Sequence, residues 1–473
     1  MHRERVDGGD TMSEQAAIMG AGVNERMIAA RIERLPFTSW QLIVAIIIAS
    51  AWFFDAVDAL AIAYVLPVLN GLWKLTPGET GMLIACGYAG QTIGSIGAGW
   101  FAERWGRVPV LLVTLLIFSV MSLACALAWS FQSMLWFRLI QGIGLGGEVP
   151  IMITYINEFS KAKGRGFFAL GVQVLFAFGL TASAFLGAWV VPRFGWQWMF
   201  VIGALPALIA LPLRWVVPES ARWLASKGRF AEADAVLGKI EAVAMRAGKT
   251  LPPLPADLPA ARPAPCRFGD LFRGIYRKRT LSVWCLWIAC FGLSYSIGTW
   301  LPSIYRTVFH LPLQQALTYG FIQTAATLVG TIITVFTIDL VGRRPMFIIG
   351  LLGTALPLLS FLAIGAVSPE SILLRVCITY FFLSVLVLSL GLYTAEIYAN
   401  NMRALGSGVA AAWQRSAATA GPLIVGGLLP NFGLDTVFVF FGCLVSVAFV
   451  ICVFFVIETR GRVLEQLSPQ LEG

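Results

Sequence analysis

Long apolar runs separated by short polar loops dominate this chain. Twelve such runs occur, and each is near the ~20 residues that an α-helix needs to cross a bilayer. The first six lie roughly at 40–69, 80–100, 109–129, 134–158, 166–190 and 197–217. The second six lie roughly at 280–301, 315–339, 345–366, 371–396, 403–429 and 433–457. The pattern predicts an all-α membrane protein with twelve transmembrane helices.

A long polar connection divides the runs into two groups of six. It contains an amphipathic stretch near 230–246 and a Pro-rich tract at 251–265, which is expected to be an extended spacer. The expected units are a tail at 1–39, a first six-helix bundle at 40–217, the connection at 218–279, a second six-helix bundle at 280–457 and a tail at 458–473.

Composition and charge agree with a membrane protein and indicate its orientation. Charged residues make up 12% of the 473 residues, against about 25% in soluble domains. Of the 34 Lys and Arg residues, 27 lie on the side of both termini and the connection, and three lie in the opposite loops. Because cytoplasmic loops are rich in Lys and Arg, we expect both termini in the cytoplasm and the protein in the plasma membrane, which is the inner membrane in bacteria.

The sequence offers little for a cofactor, metal or enzyme site. The eight cysteines form no C-x-x-C pair, and both histidines fall outside the apolar runs, so neither a metal site nor a nucleophile–base pair is expected. The basic residues lie between apolar runs rather than on one soluble face, which argues against nucleic-acid binding. The glycines at 142–147 lie inside an apolar run, which favours a close helix crossing over a nucleotide-binding loop.

Two aspartates in the first run form the candidate proton site. An intramembrane carboxylate costs at least ~2.5–3.5 kcal/mol even on a lenient scale, and this run carries both Asp55 and Asp58. At a spacing of three residues both side chains fall on one helical face, and like charges in a dry site favour the binding of a proton. Asp58 is the first candidate for the proton carrier and Asp55 the second. The alternative is a structural polar pair.

Two further charged residues lie in the fourth run. Arg138 lies a few residues inside its outer end, at a depth compatible with Asp58. A rocking motion that makes and breaks this pair would couple protonation to access; alternatively, Arg138 snorkels to the surface. Glu148 lies ten residues further on, and it is either a second proton site or a partner of Arg415.

Arg415 lies twelve residues into the eleventh run, about 18 Å deep at a rise of about 1.5 Å per residue. A guanidinium at that depth needs an anion, and its parallel N–H groups fit a carboxylate. We interpret Arg415 as the binding group for a substrate carboxylate, with a structural ion pair as the alternative. The other candidates for the substrate site are Tyr295, Tyr393 and Gln414.

An internal repeat places similar charged residues in both halves. Glu103 to Arg107 follows the second run as Asp339 to Arg343 follows the eighth, with acid, Gly and Arg at the same offsets. Six runs repeated in one orientation predict two bundles related by a pseudo-two-fold axis along the membrane normal, with the substrate between them. The repeated residues are interpreted as a cytoplasmic gate that breaks when the inside opens, or else as orientation signals: Glu103, Arg104, Arg107, Glu158, Arg165, Glu219, Asp339, Arg343, Arg344, Glu396, Arg403 and Glu458.

These motifs resemble the major facilitator superfamily nearly end to end. The loop that begins at Gly99 resembles its acid–Arg–x–Gly–Arg signature, and residues 218–223 resemble its sugar-porter-like branch. Asp55-Ala56-Val57-Asp58 resembles the Asp-Gly-x-Asp motif of aromatic-acid:proton symporters, whereas residues 146–150 are more similar to nicotinate-type and other metabolite:proton symporters.

The sequence and this resemblance together predict a proton-coupled symporter. It would import a small organic anion, such as an aromatic or heteroaromatic carboxylate, by alternating access. Its partners would be this small molecule, a proton and the lipid bilayer, and it would work as a monomer without a cofactor. Two alternatives remain: a symporter of a neutral sugar or polyol with a proton, and an antiporter that exports a drug or metabolite.

Overall fold

The structure, a computed structural model, describes residues 25–36, 38–159, 165–208, 215, 217–254, 266–399 and 401–461. It describes only the backbone at residues 45, 48, 156, 157, 159 and 165–173. The described residues form helices and contain no strand. An all-helical chain is what lipid imposes, because each spanning segment must satisfy its own backbone hydrogen bonds.

Six helices lie in the described part of the first half, and two more lie in the connection. The six are α1 (Ser39–Trp73), α2 (Pro77–Trp105), α3 (Arg107–Ala126), α4 (Phe131–Phe159), α5 (Arg165–Phe194) and α6 (Gln197–Gly203). The connection adds α7 (Ala221–Ser226), α8 (Phe230–Arg246) and a 3₁₀ turn at Phe268–Phe272. The amphipathic stretch that the sequence indicates therefore forms α8. A further helical segment at 25–34 precedes α1.

The described part of the second half contains the remaining helices. They are α9 (Gly274–Thr307), α10 (Leu313–Val341), α11 (Arg343–Leu359), α12 (Phe361–Ile364), α13 (Pro369–Ile397) and α14 (Arg403–Phe455). The backbone of Gly433 is non-helical, with φ at 81°, so α14 carries the last two predicted runs on either side of it. Eight helices in the described ranges are long and apolar enough to cross a membrane. Each predicted run overlaps a helix. The run at 345–366 is divided between α11 and α12, and the run at 197–217 continues beyond α6 into residues outside the description.

Local sequence signals set the start of α2. Thr76 Oγ1 accepts a hydrogen bond from the backbone N–H of Glu79 at 3.3 Å, and Glu79 Oε2 accepts from the backbone N–H of Thr76 at 2.8 Å. This capping box satisfies two N–H groups that have no partner within the helix. Pro77 occupies the first helical position, where its missing N–H is not needed.

The two halves meet at the end of the molecule that carries the loops 74–76 and 308–312, which we name the short-loop end. Gln314 Nε2 of α10 donates to the Ala188 carbonyl of α5 at 3.0 Å. A Cβ atom on Gly81 of α2 would lie 2.7 Å from the Pro422 carbonyl of α14. At the opposite end, which we name the charged end, the ion pairs of Arg107 and of Arg343 each lie within one half.

Glycines allow α2 and α4 to cross at close range, as the sequence predicts. A Cβ atom on Gly94 would overlap the carbonyl oxygen of Ile143, and one on Gly146 would overlap that of Gln91. Gly142 has a similar contact, with the carbonyl of Gly87. Since small residues let helix backbones approach in lipid, this crossing fixes α4 against α2 and so sets the depth of the charged residues on α4.

Replacing Gly146 by Ala should therefore destabilise the protein, because the added methyl group must push α2 and α4 apart. Overpacking of this kind typically costs about 1–3 kcal/mol, which a thermal unfolding scan in detergent would detect as a lower midpoint. Gly97→Ala on α2 is the matched control, since no atom lies within 4 Å of its added Cβ. Equal midpoints for the two variants would contradict the close crossing.

Candidate functional site

α1 carries the two aspartates into the interior of the first half. The side chains of Asp55 and Asp58 are 3% and 1% exposed. α5 packs directly on this part of α1, because Gly179 has no side chain and a Cβ there would lie 2.6 Å from the Phe53 carbonyl oxygen. Both carboxyl groups are thus enclosed by helices rather than facing lipid.

Asp58 is paired with residues of α4. Arg138 Nη1 lies 3.2 Å from Asp58 Oδ2, and Gln141 Nε2 donates to Asp58 Oδ1 at 2.9 Å. Arg138 Nη1 also donates to Gln141 Oε1 at 2.8 Å, and the guanidinium lies 5.9 Å from the ring of Phe200 on α6. Arg138 is 5% exposed, so it does not snorkel to the surface. Both oxygens of Asp58 are occupied by donors in this arrangement.

Asp55 faces a different residue, Glu148 of α4. Glu148 is fully buried, and the two carboxyl groups lie within hydrogen-bonding reach of each other. Within the described residues no N–H or O–H donor reaches any of their four oxygens. Ionised carboxylates only accept hydrogen bonds, so these two groups can bond to each other only when one carries a proton.

Arg415 lies on α14, in the second half. Its side chain is half-buried, and its guanidinium has no ion-pair or hydrogen-bond partner among the residues that the structure describes. Its charge acts on Asp55 and Tyr88 of the first half, so it lies near the boundary between the halves. Gln414, the preceding residue, is also half-buried. The structural ion pair that the sequence left open for Arg415 is not formed here.

Aromatic side chains line the same boundary. Tyr295 of α9 lies 4.8 Å from Tyr88 of α2, measured between ring centroids, with the ring planes tilted by 57°. Tyr295 also stacks on Phe291 at 6.1 Å, and Phe291 stacks on Trp287 at 4.9 Å. The three residues of α9 are spaced by four, so they form one aromatic face along the helix.

Two residues of this site were given no role in the sequence analysis. Gln141 lies three residues after Arg138, on the same helical face, and that spacing could have identified it as part of the Asp58 cluster. Tyr88 is a single tyrosine within an apolar helix. Its approach to Tyr295 depends on how the halves pack, which no local pattern reveals.

Tyr393 does not lie with the other substrate-site candidates. It is 2% exposed, its ring packs edge-on against Phe347 at 5.2 Å, and its hydroxyl accepts from the backbone N–H of Ile457 at 3.1 Å. The tyrosine thus ties α13 to the residues that follow α14. These contacts lie within the second half, and the role of Tyr393 as a substrate contact stays a prediction.

The charged end has the same geometry in both halves. In the first half, Arg107 Nη2 binds Glu103 at 2.8 Å and Glu158 at 3.2 Å, and Glu219 accepts from the Arg107 backbone N–H at 3.0 Å. In the second half, the corresponding distances for Arg343 are 2.6 Å to Asp339, 2.9 Å to Glu396 and 3.0 Å from its N–H to Glu458. The repeat read from the sequence is therefore also a repeat of contacts.

The other predicted gate residues make different contacts. Arg104 lies over the ring of Trp100 at 5.6 Å, and Arg344 Nη2 donates to the Val453 carbonyl at 2.8 Å. Arg403 Nε is buried without a hydrogen-bond partner among the described residues. The side chain of Arg165 lies outside the described residues.

Glu219 and Glu458 occupy equivalent positions but differ electrostatically. Burial raises the pKa of Glu219, although backbone N–H groups donate to it. Glu458 is less buried, and the backbone N–H groups of Arg460, Arg343, Arg344 and Thr459 lower its pKa despite the opposing effect of burial. The two halves thus differ in how readily their end-capping acids take up a proton.

Comparison with known proteins finds transporters that are similar along most of the chain. The family model for sugar (and other) transporters matches residues 63–471. The niacin transporter NiaP of Acinetobacter baylyi is 31% identical over 447 residues, which cover 93% of this chain and 99% of that protein. The gallate transporter of Pseudomonas putida is 30% identical over 419 residues, which cover 87% and 91%.

A solved structure shows the same fold. The xylose transporter XylE from E. coli, in a partially occluded inward-open conformation, matches 90% of this chain and 100% of its own chain with a TM-score of 0.70 and 22% sequence identity. The match confirms the predicted fold of twelve helices in two six-helix halves.

Proposed function

Because the chain belongs to the sugar (and other) transporter family of the major facilitator superfamily, we propose that it carries a small aromatic or heteroaromatic carboxylate across the membrane together with a proton. It is a multi-pass membrane transporter and not an enzyme. Two of its relatives are named as transporters of niacin and gallate, both of which are aromatic carboxylic acids. Import is the direction that we propose.

One observation indicates that the substrate is a carboxylate. The guanidinium of Arg415 has no partner among the described residues, although a buried or half-buried cation in a membrane protein requires an anion. A carboxylate would satisfy it through two parallel N–H···O bonds. The tilted pair Tyr88–Tyr295 lies at the same boundary, and its rings offer an apolar surface on which an aromatic substrate can stack.

The acids of α1 and α4 support proton coupling. We propose that the Asp58–Arg138 pair opens and closes as the two halves rock, so that Asp58 binds a proton when Arg138 moves away and releases it when the pair re-forms. The 3.2 Å separation in this structure represents the closed form of the pair. Protonation of Asp58 removes its charge and so weakens the attraction that holds Arg138 against it.

The charged end supports the proposed orientation. We propose that this end faces the cytoplasm of a cell whose plasma membrane, or inner membrane in a bacterium, holds the protein as a monomer. The pairs Arg107–Glu158 and Arg343–Glu396 join helices of the same half, so each pair fixes the helix ends of one bundle. A gate that joins the two bundles at this end remains a prediction.

Uptake into proteoliposomes tests the proposal. Purified protein would be offered labelled nicotinate, benzoate, gallate and xylose, with and without an inwardly directed proton gradient. At least one aromatic carboxylate should accumulate when the gradient is present, and a protonophore should abolish the accumulation. Protein-free liposomes serve as the control.

The same panel decides between the alternatives. Accumulation of xylose without any carboxylate would favour a symporter of neutral sugars or polyols. An exporter would instead release protons from everted vesicles when its substrate is added. Failure of every tested carboxylate to accumulate or exchange would contradict the proposed function.

A further inference from the structure

Asp55 and Glu148 carry buried carboxyl groups to which neither the binding of substrate by Arg415 nor the Asp58–Arg138 pair gives a function. They lie on α1 and α4, are 3% and 0% exposed, and have no described donor on any oxygen. Asp58, by contrast, already accepts from Arg138 and Gln141. Two neighbouring acids without donors form a site that is complete only when it holds a proton.

Charged groups from both halves act on this pair. The strongest on Asp55 are Glu148, Asp58 and Arg415. The charge of Asp58 is already matched by Arg138 at 3.2 Å. Arg415 lies in the opposite half of the molecule, and it has no ion-pair partner among the described residues.

We propose that Asp55 and Glu148 share one exchangeable proton and that Arg415 alternates between this pair and the carboxylate of the substrate. With the proton in place, the pair carries a single negative charge that is held in the carboxyl–carboxylate hydrogen bond, and Arg415 is free to bind the substrate. When the proton leaves to water, the pair carries two negative charges and competes for Arg415. Arg415 itself stays protonated throughout.

This exchange would link the proton to the substrate through one side chain. It rests on the proposed function, and it adds a second proton site to the Asp58–Arg138 pair. Its consequence is that affinity for a carboxylate should fall as the pH rises, because deprotonation supplies a competing anion inside the protein. For one linked proton the fall approaches about tenfold per pH unit.

Calorimetry with the full-length protein in detergent tests this, with nicotinate and benzoate as probes titrated between about pH 5 and about pH 8. In the double variant Asp55→Asn with Glu148→Gln, neither side chain can ionise. The variant should bind the probe with the affinity that the unmodified protein has near about pH 5, and its affinity should no longer fall as the pH rises. The net proton uptake that accompanies binding at high pH, measured in two buffers of different ionisation enthalpy, should disappear with it.

A matched double variant controls for the loss of two acids. Glu79 and Glu370 lie in the first turns of α2 and α13, at helix starts that Asp55 and Glu148 do not share. The double variant Glu79→Gln with Glu370→Gln should therefore keep the pH dependence of the affinity. An unchanged slope in the Asp55/Glu148 variant would overturn the proposal, and so would a slope lost equally in both variants. If the unmodified protein bound no carboxylate at any pH, the proposed function would fail instead. Binding at acid pH by the Asp55/Glu148 variant excludes misfolding as the cause of a lost slope.

Discussion

Replacement of Arg415 by Gln is expected to weaken carboxylate binding by roughly 10²–10³-fold and to abolish uptake at low substrate concentration. The expectation follows from removing one partner of a desolvated charge pair, which costs about 2–5 kcal/mol, where each 1.4 kcal/mol is tenfold. Arg415→Lys should recover part of the affinity, since an ammonium keeps the charge but lacks the planar fork that binds both carboxylate oxygens. Equilibrium binding and uptake of nicotinate and benzoate measure both variants.

Arg375→Gln is the control, because it also removes an arginine from a long helix of the second half. Arg375 donates to the Gly365 carbonyl at 3.0 Å and lies 4.4 Å from the ring of Phe361. These contacts lie within the second half, whereas Asp55 and Tyr88 lie in the first. We expect Arg375→Gln to lower the unfolding midpoint but to leave the affinity for carboxylates within about threefold of the original value. If Arg415→Gln retained full affinity, the carboxylate would bind elsewhere, and a neutral substrate would become the better proposal.

The positions of the helices could be predicted from the sequence because a chain that crosses lipid can adopt few backbone structures. A run of about 20 apolar residues has to be helical to satisfy its backbone in a bilayer, so the runs could be placed to within several residues. The predicted runs and the observed helices differ mainly in where they begin and end. The run predicted from 280 begins at Gly274 as part of α9, since the polar residues at its start are helical without needing lipid around them.

The contents of the site were only partly predictable. Buried acids and arginines could be recognised one by one, since each is costly in lipid. The pairing of Asp55 with Glu148 could not be predicted, because it depends on the close crossing of α2 with α4 and on the packing of α5 against α1. The contacts of Tyr393 could not be predicted either, because helical position gives the depth of a side chain but not the neighbour that it contacts.

The buried pair Asp58–Arg138 leads to the second large effect. Asp58→Asn should abolish proton-driven accumulation of the substrate while leaving carboxylate exchange partly intact, since an amide cannot gain or lose the proton. It should also reduce stability, because Arg138, at 5% exposure, would be left without its counter-ion. Breaking a buried ion pair from one side costs about 3–5 kcal/mol. Accumulation and counterflow in proteoliposomes and thermal unfolding in detergent measure the three effects.

The double variant Asp58→Asn with Arg138→Gln separates the two roles of this pair. With both charges removed, no buried cation is left without a counter-ion, so the unfolding midpoint should return most of the way to that of the unmodified protein. Accumulation should remain absent, because restoring stability does not restore a group that titrates. If the double variant regained both stability and accumulation, Asp58 and Arg138 would be a structural pair that holds α1 against α4. The coupling proton would then have to be carried by Asp55 and Glu148 alone.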